Sequence, residues 1–574
     1  MILSTAHISC NILADLLIAH GLRDIVISPG SRNSPIIMAL ARRPELRCHP
    51  VIDERSAAFI ALGLARQIFR PVAVVCTSGT ALLNYAPAVA EAFYSCVPLI
   101  IISADRPEEW IDQDDSQTIW QQNVLADYVK RRADIPAHTD FDNARWWIRR
   151  LINDALLEAV DGRQGPIHLN IRLDAPLNSQ SNWEENSTQV IKMVTPPAQI
   201  PVARIREMTL PLRGQHRVMI IAGFHRPDAK LNRALSRLAA LPNVAVLTET
   251  ISNLHSPLFV SRIDSTLSRM SADEKDALRP DTVITVGGAL VSRHIKEWMR
   301  NLPEVEHWHV GHSHTTIDSF RHLSVRINMD ETPFMTQLAS ALQPHKGDNG
   351  QPSTSDYATR WQEIARRAAS EHQKRLETAP WSTLKAFATL IKSLPATTNL
   401  HLSNGTSIRY AQLMDCSEIH RCECNRGVSG IDGSTSTALG ASIAYQTGPT
   451  ILITGDMSMQ YDIAALSSTL LNPRLKIIVI CNDGGEIFRF IGSTSDLPEL
   501  EKYLVVGTRL PLRDLCRGYG LSYSEASSEQ ELHEVLPGFL SENNRPALLA
   551  VNTPGKESAE VLRNYFRQSP SQKD

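Results

Sequence analysis

Asp456, Asn482 and Gly484 are spaced as oxygen donors for a divalent cation beside a phosphate. They lie in GPTILITGDMSMQYDIAALSSTLLNPRLKIIVICNDGGEIF, residues 448–488, which reads strand, turn, helix, strand, turn. Short β-branched runs at 450–454 and 476–481 flank a helical segment at 462–471. Asp456 follows the first run and Asn482 the second, twenty-six residues on. In a right-handed β-α-β unit both stand at the carboxyl edge of the sheet, where open α/β sheets bind ligands. Asp456 offers a carboxylate, Asn482 a side-chain carbonyl, and Gly484 a backbone able to turn its own carbonyl inward. Such an oxygen-only set, with room left for phosphate oxygens, suits Mg²⁺. A helix starting after Met457-Ser458 would present N–H groups and a positive dipole end to the phosphate.

Two further residue types carry chemistry. Glu54 ends a predicted strand and precedes the apolar helix SAAFIALGLA, so partial burial is expected, and burial favours a protonated carboxyl. Arg32, Arg106, Arg409 and Arg426 each fall at or soon after a predicted strand end, in SPGSR, ADRP, SNGTSIR and CNRGVSG. Guanidinium groups bind carboxylates bidentately and keep their charge. Four of them on one sheet edge suit a substrate with several carboxylates.

The elements that must position these residues alternate along the chain. Strands at 24–28, 48–52, 71–76, 98–103 and 166–171 are interleaved with helices at 36–43, 56–69, 81–94 and 141–159. That pattern predicts a parallel sheet with helices on both faces, filling 1–180. The apolar residues of MILSTAHISCNILADLLIAHGL recur at helical spacing, so the chain is expected to open with a helix. Residues 176–200 are polar and contain proline, as a linker would. A second α/β region occupies 200–345, with strands at 218–222, 244–247, 282–286 and 305–310 and a helix at 290–300. Its turn AGFHRPD lacks the G-x-G-x-x-G pattern, so a Rossmann-like spacer without a dinucleotide is expected. Residues 344–356 read as another linker, 357–376 as a charged helix, 375–574 as a third α/β region, and SPSQKD as a disordered tail.

Length and composition set the outer bounds. A chain of 574 residues accommodates three or four domains. Apolar content of 43%, charged content of 21% and a net charge of −3 describe a soluble globular protein, and point to neither nucleic acid nor a membrane as partner. Nine cysteines, several of them (Cys76, Cys96, Cys481) in apolar runs, indicate reduced, buried thiols and a cytoplasmic home. Cys422 and Cys424 form a lone C-x-C, which argues against zinc.

The first and third regions resemble one another. SPGSR parallels SNGTSIR, IDER (52–55) parallels IDGS (431–434), and VVCTSG…IIISADR parallels ILITGD…IIVICND. Gly79 and Asp105 are also twenty-six residues apart, like Asp456 and Asn482. The fold expected is therefore α/β: three doubly wound parallel-sheet domains, the first and third homologous, with a Rossmann-like domain between. In this matching Glu54 stands where the third region has Gly433.

The GD…N spacing resembles the signature of thiamine-diphosphate enzymes. The phrases SPGSRNSP, VIDER, VCTSGTALLNYAPAVAEAFY, SADRP, CNRGVSGIDGSTSTA and NDGGEIF are similar to one family among them, the synthases that make 2-succinyl-5-enolpyruvyl-6-hydroxy-3-cyclohexene-1-carboxylate in menaquinone biosynthesis. The resemblance implies decarboxylation of 2-oxoglutarate on thiamine diphosphate and transfer of the succinyl unit to isochorismate. It implies Glu54 as the residue that activates the cofactor, and Asp456, Asn482 and the Gly484 carbonyl as ligands of Mg²⁺ (or Mn²⁺). Thr77, Gly79, Ile431, Gly455, Met457, Ser458, Ile487 and Phe488 would surround the cofactor. Ser31, Arg32, Arg106, Gln117, Arg409 and Arg426 would line the substrate site. In this superfamily the glutamate and the diphosphate site come from different subunits, so a homodimer or a dimer of dimers is implied. Three positions depart from the family's pattern: Trp120 stands where an arginine is usual, a basic pair on the spacer helix reads Arg293-His294, and Asp483 follows Asn482. Another thiamine-diphosphate carboligase of the acetohydroxyacid synthase kind remains the alternative. A non-catalytic homologue and a nucleotide-dependent oxidoreductase are weaker rivals.

Overall fold

The computed structural model describes residues 1–184, 188–343, 354–507 and 509–567. The expected linker at 344–356 lies outside them up to residue 353, as does the tail SPSQKD. Three all-parallel sheets organise the chain. The first runs Arg47–Pro50, Asp24–Ile27, Val72–Cys76, Leu99–Asp105, Ile167–Arg172, Arg131–Ile135 across the sheet. The third runs Arg421–Cys424, Asn399–Leu402, Thr450–Gly455, Leu475–Cys481, Ala547–Asn552, Ser522–Ala526. Ranked by chain position, the two have the same strand order. The middle sheet is five-stranded: Val244–Thr248, Val218–Ala222, Thr282–Val286, Glu306–Val310, Leu323–Ile327. Central strands such as VAVVC and LKIIVIC are apolar without alternation because helices cover both their faces.

Several expectations need correction. The chain opens with a strand, Ile2–Thr5, before its first helix, Ile8–Ala19. That strand pairs antiparallel with Gln180–Trp183, so the polar stretch at 176–200 contains a strand as well as connecting chain. Hydrophobic periodicity misses this pair because only Trp183 of its second strand is buried. The helix expected at 462–471 instead starts at Asp456, ends at Tyr461 and is followed by a 3₁₀ turn, Ile463–Ser467. Glu54 does not end a strand: the strand before it stops at Pro50, and Glu54 opens the helix Glu54–Ile68. Asp53 caps that helix, accepting from Arg55 N at 3.2 Å and from Ser56 Oγ at 2.8 Å.

That helix and its counterpart Ser434–Ala444 cross at the centre of the molecule, and one hydrophobic core joins the first and third sheets through them. The crossing is close because glycine faces backbone twice: a Cβ on Gly63 would overlap the Thr437 carbonyl, and one on Gly440 the Ile60 carbonyl. Gly433, at φ +80°, caps the second helix with the Phe59 ring packed where its side chain would be.

Candidate active site

At the edge of the third sheet, Asp456 and Gly484 meet directly. The Gly484 N–H donates to Asp456 Oδ2 at 3.0 Å, and Met457 N donates to Oδ1 at 2.7 Å. The turn Asn482-Asp483-Gly484 makes this approach possible: Asp483 and Gly484 have φ of +62° and +102°, and a Cβ at 484 would strike the Val505 and Val506 carbonyls. The Gly484 carbonyl, expected to face inward, accepts from Glu486 N at 2.9 Å. Asn482 is buried, with its amide nitrogen donating to the Glu486 carboxylate. Its amide oxygen would then be available to a cation. Among the described residues no group of three or more His, Cys, Asp or Glu side chains is placed to hold a metal. A divalent ion at Asp456 would have its shell completed by amide, backbone and phosphate oxygens, a donor set that fits Mg²⁺. Ser458 Oγ donates to the Ile431 carbonyl at 2.6 Å, and Gly455 N to Ser403 Oγ at 3.4 Å, tying this edge to the neighbouring loops. Ile487 and Phe488 follow on the short helix Glu486–Phe490, both half-buried.

Glu54 is half-buried, near enough to Cys76 and Tyr85 for its charge to act on both. Burial, with those neighbours, holds the Tyr85 phenol far above its ordinary range. Thr77 packs against Gly30, where any side chain would collide with it. Thr77 Oγ1 and Asn33 Oδ1 are buried at this edge without a hydrogen-bond partner, as groups that receive a polar ligand would be. Gly79 N donates to Gln121 Oε1 at 2.7 Å, while Gln121 itself donates to Ala104 O and Asn170 Oδ1. The backbone of Gln117 lies against Gly79.

The four arginines do not form one cluster within the chain. Arg32 and Arg106 are neighbours on the first sheet; burial and then Arg106 lower the Arg32 pKa. Arg32 donates to the Leu173 carbonyl at 3.0 Å, and Arg106 pairs with Asp115 at 2.6 Å. Ser31 and Gln117 are exposed nearby in the chain, and Trp120 turns its Nε1 to Asp112 at 2.5 Å. Arg409 and Arg426 form a second group with Arg293: burial, then Arg293 and Arg426, push Arg409 down to about 10. Arg426 donates to Asn404 Oδ1 at 2.9 Å.

Sequence reasoning missed three residues, two of them in this second group. Glu249, just past the strand Val244–Thr248, accepts from Val291 N and Ser292 N and so fixes the loop before Arg293; burial pushes its carboxyl up to about 7. Lys296, one turn beyond Arg293, faces the same group, its pKa lowered first by burial. His294 lies 3.3 Å from Asp264, itself a charged neighbour of Arg409, so Lys296 joins the Arg293-His294 pair on the spacer helix beside this group. Helical spacing of three residues was the available signal. Glu486, inside the NDGGEIF phrase, is the third missed residue, and it belongs to the Asn482 edge.

Comparison with known proteins gives this arrangement a context. Residues 10–125 match the family described as thiamine pyrophosphate enzyme, N-terminal TPP binding domain. The 2-succinyl-5-enolpyruvyl-6-hydroxy-3-cyclohexene-1-carboxylate synthase of Porphyromonas gingivalis is 38% identical over 97% of this chain and 96% of its own. The chain belongs to this synthase family. The enzyme of the same name from Christiangramia forsetii is 36% identical over 96% of this chain and 97% of its own. Among solved structures, benzoylformate decarboxylase from Polynucleobacter necessarius superposes with a TM-score of 0.72 over 95% of this chain and 98% of that one. At 16% identity that likeness shows the fold alone: three α/β domains of the thiamine-diphosphate enzyme type.

Proposed function

We propose that this chain catalyses the reaction its relatives are named for: 2-oxoglutarate loses CO₂ and its succinyl unit is joined to isochorismate, a step of menaquinone biosynthesis. The full-length likeness to synthases of that name carries the reading. The residues described above are consistent with it. Thiamine diphosphate, when bound, supplies the carbon at which the 2-oxo acid is decarboxylated. Asp456, Asn482 and Gly484 would hold Mg²⁺ or Mn²⁺ against its diphosphate, with Gly455, Met457 and Ser458 beside them and Ile431, Ile487 and Phe488 packing on the cofactor. Glu54, with Thr77 and Gly79 nearby, would donate to the cofactor's pyrimidine ring and set its tautomer. Arg32 with Arg106, and Arg409 with Arg426, would each bind carboxylate groups; two dicarboxylate substrates use both pairs. Ser31 and Gln117 would complete the pocket.

The functional units are 1–180, 200–345 and 375–574, working in a cytoplasmic homodimer or dimer of dimers. Ile52, two residues before Glu54, leaves an apolar side chain 84% exposed in the single chain, which supports a protein surface covering that edge.

The test mixes protein, thiamine diphosphate, Mg²⁺ and 2-oxoglutarate with and without isochorismate, following CO₂ and product mass. Isochorismate-dependent CO₂ with the succinyl adduct is expected; CO₂ without adduct would refute the acceptor. Glu54→Gln should bind the cofactor yet lose turnover by 10²-fold or more, on the order of what general acid–base groups contribute. Asp456→Ala should lose Mg²⁺ and cofactor affinity together. Normal retention of both would remove the metal from this edge.

A further inference from the structure

Glu486 is buried, 2% exposed, four residues on from Asn482. Its carboxylate collects donors from three directions. Asn482 Nδ2 donates to Oε2, Tyr410 OH to Oε1 at 2.6 Å, and Thr383 Oγ1 to Oε2 at 3.1 Å. Each donor is itself fixed. Tyr410 is fully buried and stacks on Phe387 with centroids 5.4 Å apart; Thr383 is held through Thr553 Oγ1 at 2.9 Å and its own N–H to Ser558 Oγ at 2.9 Å. The Asn482 backbone is pinned separately, its carbonyl accepting from Arg489 Nη1 at 3.3 Å.

A side-chain amide has an oxygen end and a nitrogen end of nearly equal shape, and only its partners decide which way it points. In its ionised form, receiving a phenol and a hydroxyl, this carboxylate is an acceptor on every side and takes only the NH₂ end of Asn482.

We propose that Glu486 is a positioning residue for the divalent metal: by holding the Asn482 amide nitrogen it presents the amide oxygen to the cation beside Asp456. The inference rests on the metal assignment made under the proposed function. Because Tyr410 follows Arg409 in the helix Thr406–Ala411, the same carboxylate also fixes the backbone from which that arginine projects. Metal site and carboxylate-binding arginine thus share one buried anchor. The pattern parallels the outer-shell carboxylates that orient metal ligands elsewhere, whose loss weakens metal affinity roughly 10–100-fold.

The test is binding, not turnover. Mn²⁺ affinity is measured by electron paramagnetic resonance, and Mg²⁺ and thiamine diphosphate affinity by calorimetry, on full-length Glu486→Leu, Glu486→Gln and Tyr410→Phe, with Asp456→Ala alongside. Glu486→Leu should weaken metal binding on the order of 10–100-fold. Glu486→Gln keeps an acceptor for Asn482 and an NH₂ for the Tyr410 oxygen, so it should stay within about threefold of wild type. A merely structural role would lower the melting temperature of Glu486→Leu without separating the two in metal affinity. Should Glu486→Leu fail to fold, Tyr410→Phe decides: removing one anchor should weaken the metal by roughly threefold or more, a fraction of the outer-shell effect. Metal affinity unchanged in Tyr410→Phe and in a folded Glu486→Leu, with Asp456→Ala defective, overturns the inference alone. Unchanged affinity in Asp456→Ala as well refutes the metal assignment beneath it.

Discussion

Replacing Gly63 by alanine puts a methyl group where the helices of the first and third domains meet through a glycine and a backbone carbonyl. The added Cβ would stand 2.8 Å from the Thr437 carbonyl carbon and nearer still to its oxygen. Carbon atoms in contact sit at about 3.5–4.0 Å, so the two helices must part by roughly 1 Å. Neither side can yield by a rotamer change, because the obstacle is main chain in the middle of Ser434–Ala444. Overpacking of this kind costs about 1–3 kcal/mol, and a rigid backbone obstacle belongs at the upper end. Alanine's better helix propensity returns about 1 kcal/mol, leaving a net loss of about 2 kcal/mol. For a domain of 150–250 residues that is a fall of roughly 4–8 °C in the melting midpoint. Glu54 opens the same helix, and a 1 Å misplacement of a reacting group can remove about 10²-fold in rate. Thermal melting and turnover should therefore fall together. Gly518→Ala is the control: that glycine is helical with nothing within 4 Å of a new Cβ, so the substitution should stabilise by up to about 1 kcal/mol. Gly63→Ala melting at the wild-type temperature would refute the account of the crossing.

Two other perturbations follow from buried charge. Glu91 pairs with Arg66 at 2.6 Å, side chains 1% and 5% exposed, and also accepts from Gly427 N and Val428 N at 2.9 and 2.8 Å. Glu91→Ala strands a buried guanidinium and two N–H groups, and should destabilise by about 3–5 kcal/mol in urea unfolding; a loss under 1 kcal/mol would show the pair to be dispensable. Burial also holds His168, His307 and His372 down to about 4 and His401 to about 3, from an ordinary 6.5. The unfolded chain then takes up these protons first as the medium acidifies, so their contribution is complete above pH 6.5 and drains away towards pH 4. Buried Glu249, Glu486 and Asp462, raised to about 7, 7 and 6, act in the opposite sense over the same range, so the imidazoles are followed one by one by NMR. All four should stay neutral from pH 7 to 5, and midpoints near 6.5 would refute their depression.

The sheet edges were legible in the sequence because parallel strands buried on both faces read as uninterrupted apolar runs, and each run ends where a ligand edge begins. Residues 218–222 and 282–286 were placed to the residue. What spacing along a strand does not encode is what stands behind a side chain. Glu486, Tyr410 and Thr383 come from three separate elements, Glu249 reaches the 291–292 backbone across the middle sheet, and Gln121 secures Gly79 from an irregular stretch. None of these leaves a periodic signal. The split of the arginines into two groups was equally hidden, since both lie at sheet edges but of different sheets.

The matching of the duplicated domains shows where residue patterns stop being sufficient. IDER laid over IDGS pairs Glu54 with Gly433, yet in the crossing Gly63 and Gly440 play equivalent parts, as do Ile60 and Thr437. That geometry pairs Glu54 with Ile431 instead. The reason is the loop ahead of each helix: residues 51–53 suffice after the strand Arg47–Pro50, whereas 425–433 intervene after Arg421–Cys424. The longer loop lets Ile431 give its carbonyl to Ser458 in the Asp456 helix, while the shorter one delivers a carboxyl straight onto the first turn. Two sheets of identical strand order thus offer the same edge twice, and loop length decides whether a carboxyl or an apolar side chain arrives there. A glutamate introduced by Ile431→Glu should accordingly meet the Asp456 edge as a second negative charge and weaken Mg²⁺ binding, whereas Gly433→Glu should fail earlier, on the Phe59 ring, and lose stability first. Calorimetry of the metal and a melting curve on each variant separate the two; the reverse order of effects would restore the pairing that the sequence suggests.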